Sequence, residues 1–222
     1  MESNQDNILE NSDSKSPKQI KMVAFDLYWT LLNNISWLTK NFFKWKKMNK
    51  LSKDELLTTE TNLDTLNIWK KQKETIRKQI EEVLIFPDVL ETINYLKDHW
   101  YKIAIVSNLS SWFAEPLKKY IPEWLIDYKI LSFEVWKRKP NPEIFEELKK
   151  QSWINFDETI MVWDSIKSDI LWAQNVWIEP IYVNRKSEWI QYNDAYKTIQ
   201  ISKISDLIEL VNMLKSWNIS VS

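Results

Sequence analysis

The polar side chains that end the apolar runs of this sequence are of types that suit one chemistry. Asp26 closes the run MVAF, with Thr30 four residues later. Ser107 and Asn108 close KIAIV, Lys139 lies in the loop after the run that starts at Tyr128, and Asp164 and Asp169 follow TIMV. Short apolar runs read as strands buried on both faces, so a charge at the carboxyl end of one is either paired or placed for chemistry. Two carboxylates, Asp26 and Asp164, with a third at Asp169 can hold Mg²⁺, a hard cation that takes oxygen ligands and a substrate phosphate. A lysine beside a carboxylate nucleophile balances charge, and Ser107 can donate a hydrogen bond to a phosphoryl oxygen. That set suits phosphoryl transfer to a carboxylate, with metal and donors stabilising the equatorial oxygens. Taken singly each residue has a plainer reading: Ser107 as a helix cap, Lys139 as a surface charge, Asp169 as an early-helix residue favoured by the dipole. The joint placement carries the chemical one.

The elements that must position these residues alternate. Strands are expected at Met22–Phe25, Lys102–Val106, Tyr128–Phe133, Thr159–Val162 and Ile181–Val183. Helices are expected with Val89, Leu90, Ile93 and Leu96 as an apolar stripe, around Phe113 to Tyr120, after Asn141 as cap and Pro142 as first residue with Ile144, Phe145 and Leu148 inward, and after Ser205. Such alternation implies parallel crossovers and a three-layer α/β sheet whose active crevice lies outside the carboxyl ends of the strands. Residues 35–84 interrupt it with helical spacing alone, including the capping box Ser52 with Glu55 and the apolar positions Leu63, Leu66, Ile76, Ile80 and Val83. Residues 1–19 are polar and without periodicity, which reads as a disordered tail. The expected division is therefore a tail at 1–19, an α/β core at 20–34 and 85–222, and a helical insert at 35–84.

Composition bounds the partners. The 222 residues carry 30 basic and 31 acidic side chains, a net charge of -1, which offers no field for nucleic acid or an anionic membrane surface. No apolar segment approaches a membrane span, the first residues lack the apolar core of a signal peptide, and cysteine is absent, so a cytoplasmic protein is expected. His99, the single histidine, reads as a residue that meets the carbonyls of a helix end, and histidine-based triads and zinc sites are excluded for want of partners. The aromatics from Tyr192 to Tyr196 read as ordinary packing.

The chain has 14 Trp and no Gly, whereas average usage predicts about 15 Gly at this length. Trp100 and Trp153 each follow a helical pattern and precede a strand or turn, the slot where a left-handed residue closes a helix. Most of the tryptophans therefore read as glycine positions, the pattern left by a codon reassigned to glycine and read as tryptophan.

With FDLYWT, VSN, KP within KRKPNPEIF, and VWDSIKSDILWAQNVW in this order, the chain resembles the haloacid dehalogenase-like (HAD) hydrolase superfamily from Lys21 onward. The resemblance implies a Rossmann-like core with a helical cap that closes over the site and selects the substrate. It implies Asp26 as a nucleophile forming an aspartyl intermediate, Thr30 and Ser107 as substrate-positioning residues, and Lys139 as the charge that steadies them. Mg²⁺ would be held by Asp26, the Tyr28 backbone carbonyl, Asp164 and Asp169. The family's glycines fall on Trp29, Trp100, Trp136, Trp163, Trp172 and Trp177. A small phosphorylated metabolite as substrate and a monomer or homodimer are expected. One departure matters: phosphatases of this superfamily carry an acid/base Asp where Tyr28 stands, and the DxYGT form is that of its metal-independent dehalogenases. Against dehalogenation stand the acidic pair Asp164 and Asp169 and the lack of an arginine early in the cap, since the chain has only Arg77, Arg138 and Arg185. A non-catalytic descendant that binds a ligand through the same cleft is the third reading.

Overall fold

The computed structural model describes residues 19–33, 52–66, 68–165, 178–187 and 190–219. The expectations for the tail, for the first part of the helical insert and for Asp169, Trp172 and Trp177 lie outside these residues.

Seven strands form one sheet: β1 (Met22–Phe25), β2 (Lys102–Ser107), β3 (Tyr128–Leu131), β4 (Thr159–Trp163), β5 (Glu179–Val183), β6 (Gln191–Asn193) and β7 (Thr198–Ile201). Their order is β3-β2-β1-β4-β5-β7-β6, and every pair is parallel except β6 with β7. Side chains alternate between the two faces with the period of the pleat. Val23, Phe25, Ile103, Ile105, Ile160 and Val162 pack on one face, against Val89, Ile93 and Leu96 of α3 (Val89–Asp98) and Leu207 and Val211 of α6 (Asp206–Ile219). Met22, Ala24, Ala104, Val106 and Met161 pack on the other, against Ile144, Phe145 and Leu148 of α5 (Glu143–Ser152). Apolar side chains on both faces are what made these runs legible as buried strands. The three-layer α/β architecture is as the sequence implied.

Between β1 and α3 the chain forms α1 (Lys53–Thr58) and α2 (Lys70–Glu81). The capping box opens α1: Ser52 Oγ accepts from the Glu55 amide at 2.9 Å, and Glu55 Oε2 accepts from the Ser52 amide at 2.8 Å. Ile80 and Val83 are buried and Ile76 partly so. This segment is tied to the turn after β2, where Ser110 Oγ donates to the Leu56 carbonyl at 2.8 Å and Ser111 Oγ donates to that of Thr61.

Three local expectations are corrected. The third strand stops at Leu131 rather than Phe133, because Ser132–Val135 forms a helical turn held by the Ser132 hydroxyl, which both accepts from the Leu109 amide and donates to the Leu109 carbonyl. The helix around Phe113 begins as a 3₁₀ turn at Ser111–Ala114 and becomes α4 only at Glu115–Tyr120, with Pro116 in its first turn. Pro142 takes helical angles in the cap position of α5, one residue before its expected place, and no side chain caps that end. The Tyr192 to Tyr196 stretch belongs to the β6–β7 hairpin: Tyr192 is exposed on the edge strand, while Tyr196 is partly buried and packs against the Met22–Met161 face, the ordinary packing expected. β6 is short and exposed, and β7, though buried, mixes Thr198 and Gln200 with its isoleucines, so neither produces an apolar run.

The backbone bears on the tryptophan count. Among the described residues five have positive φ: Trp29 (64°), Trp100 (69°), Trp136 (55°), Trp153 (59°) and Lys197 (50°). Trp100 and Trp153 close α3 and α5 in the left-handed region, as expected. At 91% and 90% exposure their indoles gain almost no burial in return.

Candidate active site

The strand order reverses between β1 and β4, since the chain runs from β1 outward to β2 and β3 and then crosses to β4 on the other side. A crevice at the carboxyl ends is expected at such a switch point. Register pairs Phe25 with Ile105 and with Val162, so Asp26 emerges one residue further, and a step beyond it Ser107 ends β2 and Asp164 follows β4. Three of the predicted site residues thus come from adjacent strand ends.

Asp26 is fixed through its backbone, its amide donating to the Val162 carbonyl at 2.9 Å. Its side chain is mostly buried, and Lys139 Nζ lies 3.1 Å from Oδ1 with the lysine side chain only 3% exposed. Lys139 reaches that depth because Asn108 grips its main chain at two points: Asn108 Oδ1 accepts from the Lys139 amide and Asn108 Nδ2 donates to the Lys139 carbonyl, each at 2.7 Å. The Lys139–Pro140 peptide is cis. Sequence reasoning noted Asn108 at a strand end without giving it a role, and its strand-end position is the only signal it carried.

The loop after β1 is a tight coil. Leu31 and Leu32 both donate to the Leu27 carbonyl, and the Trp29 amide donates to that of Leu32 at 2.7 Å, so the Tyr28 carbonyl is left out of these closures. Thr30, four residues after Asp26, is fully buried, and its hydroxyl has no hydrogen-bond partner among the described residues. The Tyr28 hydroxyl, in contrast, donates to the Phe113 carbonyl at 2.9 Å, and burial pushes its pKa well above the ordinary phenol range. Its proton is committed to main chain rather than offered to a ligand.

Trp163, the last residue of β4, is fully buried, with an indole N–H that finds no hydrogen-bond partner among the described residues. Lys139 Nζ sits 5.7 Å from its ring centroid, so the indole occupies space directly beside the Asp26–Lys139 pair.

The donors at the switch point are all hard oxygens, the type Mg²⁺ takes. Asp26 and Asp164 end neighbouring strands, and the Tyr28 carbonyl is not used by the loop's own closures, so the residues present fit such an ion. Among the described residues no three acidic or histidine side chains cluster as a ligand group, and Asp169 lies outside them. A groove of ≈ 670 Å³ lies apart from this chemistry, lined among others by Asp64, Arg77, Glu81, Ser111 and Glu115. His99 behaves as expected, with Nδ1 2.8 Å from the Tyr95 carbonyl at the end of α3. No helix among the described residues is long and apolar enough to cross a membrane.

A family model described as haloacid dehalogenase-like hydrolase matches residues 23–183. A glyceraldehyde 3-phosphate phosphatase of Methanothermobacter thermautotrophicus is 28% identical over 133 residues, 58% of this chain and 58% of that protein. Its counterpart from Pyrococcus furiosus is 27% identical over 135 residues, 60% of this chain and 55% of that protein. The match thus spans less than two thirds of the length of these relatives. Among solved structures, a HAD phosphatase from Thermococcus onnurineus aligns with TM-score 0.64 at 21% identity, over 86% of this chain and 98% of that one. An L-2-haloacid dehalogenase aligns with TM-score 0.67 at 14% identity, over 88% and 100%. Likeness at these identities speaks for the fold alone.

Proposed function

Because the chain belongs to the haloacid dehalogenase-like hydrolases, we propose that it is a Mg²⁺-dependent phosphatase of a small phosphorylated metabolite, working through an aspartyl-phosphate on Asp26. The observation that carries this reading is the buried Asp26–Lys139 pair at the sheet's switch point, with Asp164 on the neighbouring strand end. The two relatives are glyceraldehyde 3-phosphate phosphatases, which favours a triose phosphate.

An Asp26 carboxylate oxygen attacks phosphorus, the bond from phosphorus to the substrate's ester oxygen breaks, and the departing alkoxide takes a proton from water. Water then attacks the phosphorus of the aspartyl-phosphate, releasing inorganic phosphate and restoring the carboxylate. Lys139 balances the charge of the Asp26 carboxylate from 3.1 Å and draws a phosphoryl oxygen toward the pair. Thr30 and Ser107 supply hydroxyl donors, which are worth most when preorganised in a site that excludes water. Asp26, the Tyr28 carbonyl, Asp164 and Asp169 would hold Mg²⁺, which supplies positive charge against the transferring group. The segment carrying α1 and α2 acts as the cap that shields the site and selects the substrate. Tyr28 supplies no acid, because its proton is held by the Phe113 carbonyl, so leaving groups that need little protonation turn over best.

Dehalogenation is the second reading, favoured by Tyr28 in the first motif. The superfamily's dehalogenases resemble one another in an arginine early in the cap, which this chain lacks; Arg77 pairs with Asp64, Arg138 with Asp54, and Arg185 with Asp88 and the Thr30 carbonyl. A panel of phosphate esters and 2-chloropropionate, each with Mg²⁺ and with chelator, decides between them. Phosphate release lost on chelation supports the proposal, chelator-insensitive halide release supports dehalogenation, and neither activity supports a binding protein.

A further inference from the structure

We propose that Arg185, which belongs to none of the recognised motifs, is a positioning residue that holds the nucleophile loop and couples it to the point where the chain returns from α1 and α2. Arg185 Nη2 donates to the Thr30 carbonyl at 2.7 Å. Nη1 is 3.4 Å from Asp88 Oδ1, and the guanidinium carbon lies 3.5 Å from the centroid of the Phe86 ring. Asp88 is itself anchored, its second oxygen accepting from the amides of Ile204 and Ser205 ahead of α6. Phe86 belongs to the returning segment, and its amide donates to the Leu31 carbonyl at 3.0 Å. Leu32 bridges Ile85, and the Asn33 amide donates to the Leu84 carbonyl at 2.8 Å. The chain therefore leaves and re-enters the core as one paired ribbon, and the guanidinium is stacked on one side of it while bonded to the other. Only a planar group with several donors can stack on Phe86, pair with Asp88 and bond the Thr30 carbonyl together; an ammonium cannot. The bond fixes the peptide of Thr30, whose buried hydroxyl has no partner among the described residues, in the loop that starts at Asp26.

The role rests on the phosphatase reading for its rate consequence, but not for its structural one, so the test has two arms. In Arg185→Ala, kcat for the best phosphate ester falls about 10–100-fold, the scale of a small misplacement at a reacting centre, and millimolar guanidinium restores part of it. Independently of any substrate, amide hydrogen exchange from Leu27 to Asn33 rises in Arg185→Ala and in Arg185→Lys, the second variant serving if the first does not fold. Unchanged exchange in that segment, or a loss of rate that guanidinium does not relieve, overturns the proposal. Absence of all phosphatase activity in the parent protein overturns the functional reading and leaves the exchange arm to decide this one.

The backbone carries a second inference independently: positions 29, 100, 136 and 153 are glycine in the protein as its source makes it. Four of the five described residues with positive φ are tryptophans, the four are between 40% and 91% exposed, and the chain has no glycine to occupy such positions. Glycine enters this region without the steric cost that any Cβ incurs. Peptide masses of the protein isolated from its source, read with the codons, test this. Glycine masses at the four positions, from a codon other than tryptophan's ordinary one, are expected; tryptophan masses there overturn it.

Discussion

Replacing Trp100, Trp136 and Trp153 together by glycine should stabilise the fold, and by an amount the structure allows to be worked out. Their φ values of 69°, 55° and 59° are left-handed, a conformation that costs a residue with a Cβ about 1–2 kcal/mol. Glycine removes that cost and gives back about 0.5–1 kcal/mol through the greater freedom of the unfolded chain. Their exposures of 91%, 73% and 90% mean that little apolar burial is lost with the indoles. The net gain is about 0.5–1 kcal/mol per position and about 1.5–3 kcal/mol for the three. For a chain of this size each kcal/mol raises Tm by about 2–4 °C, so thermal unfolding should move up by about 3–12 °C. The control is alanine at the same three positions, which removes the indoles but keeps the Cβ and should gain almost nothing. A glycine variant no more stable than the alanine variant refutes the reasoning, because the effect would then belong to the side chains rather than to the backbone.

The remaining predictions concern the site and its support. Tyr28→Phe should change kcat less than threefold and leave the pH–rate profile unmoved, whereas a loss of about 10²–10⁴ would make the phenol the missing acid. Asn108→Ala removes both grips on the Lys139 backbone and should lower kcat/KM by about 10–100-fold, with a smaller effect on Tm. Asp127 is partly buried, which alone would raise its pKa, but hydrogen bonds from Lys97, the Ile103 amide and Lys102 outweigh this and lower it. Because the folded pKa lies below the unfolded one, its stabilisation is present above the unfolded carboxylate pKa of about 4 and is lost as pH falls through the folded value. Asp127→Asn should thus cost about 1–2 kcal/mol in denaturant unfolding at pH 7, and the difference should close in acid.

Much of this molecule can be read from its residues because four of its strands are buried on both faces. The runs ending at Phe25, Ser107, Trp163 and Val183 announce themselves by continuous apolar content, and each of the first three delivers a polar residue to the crevice. Gln191–Asn193 escapes notice because it is a short, exposed edge strand, and Thr198–Ile201 because Thr198 and Gln200 break the apolar run of a strand that is nonetheless buried. The same limit applies to the site. Asp26, Ser107 and Asp164 are legible since strand order and strand ends place them. Lys139 is legible as a residue, but what brings its ammonium to Asp26 is a pair of bonds from Asn108, 31 positions away in the chain. Arg185 is further removed, 155 positions from the Thr30 carbonyl that it holds. Tertiary bonds of this kind leave no periodicity and no spacing in the sequence. Tyr28 is the mixed case: its identity raised the question of acid catalysis, and only the structure shows its hydroxyl bonded to the Phe113 carbonyl.

The central claim is that Asp26 attacks phosphorus with Mg²⁺ present. Its most direct test is the mass of the protein quenched in acid during turnover of a phosphate ester, with Asp26→Asn alongside. The account predicts a phosphoryl adduct on the peptide containing Asp26, dependent on Mg²⁺ and absent from the variant, whose phosphate release should be lost. Undiminished turnover by Asp26→Asn, or an adduct on another residue, would contradict it.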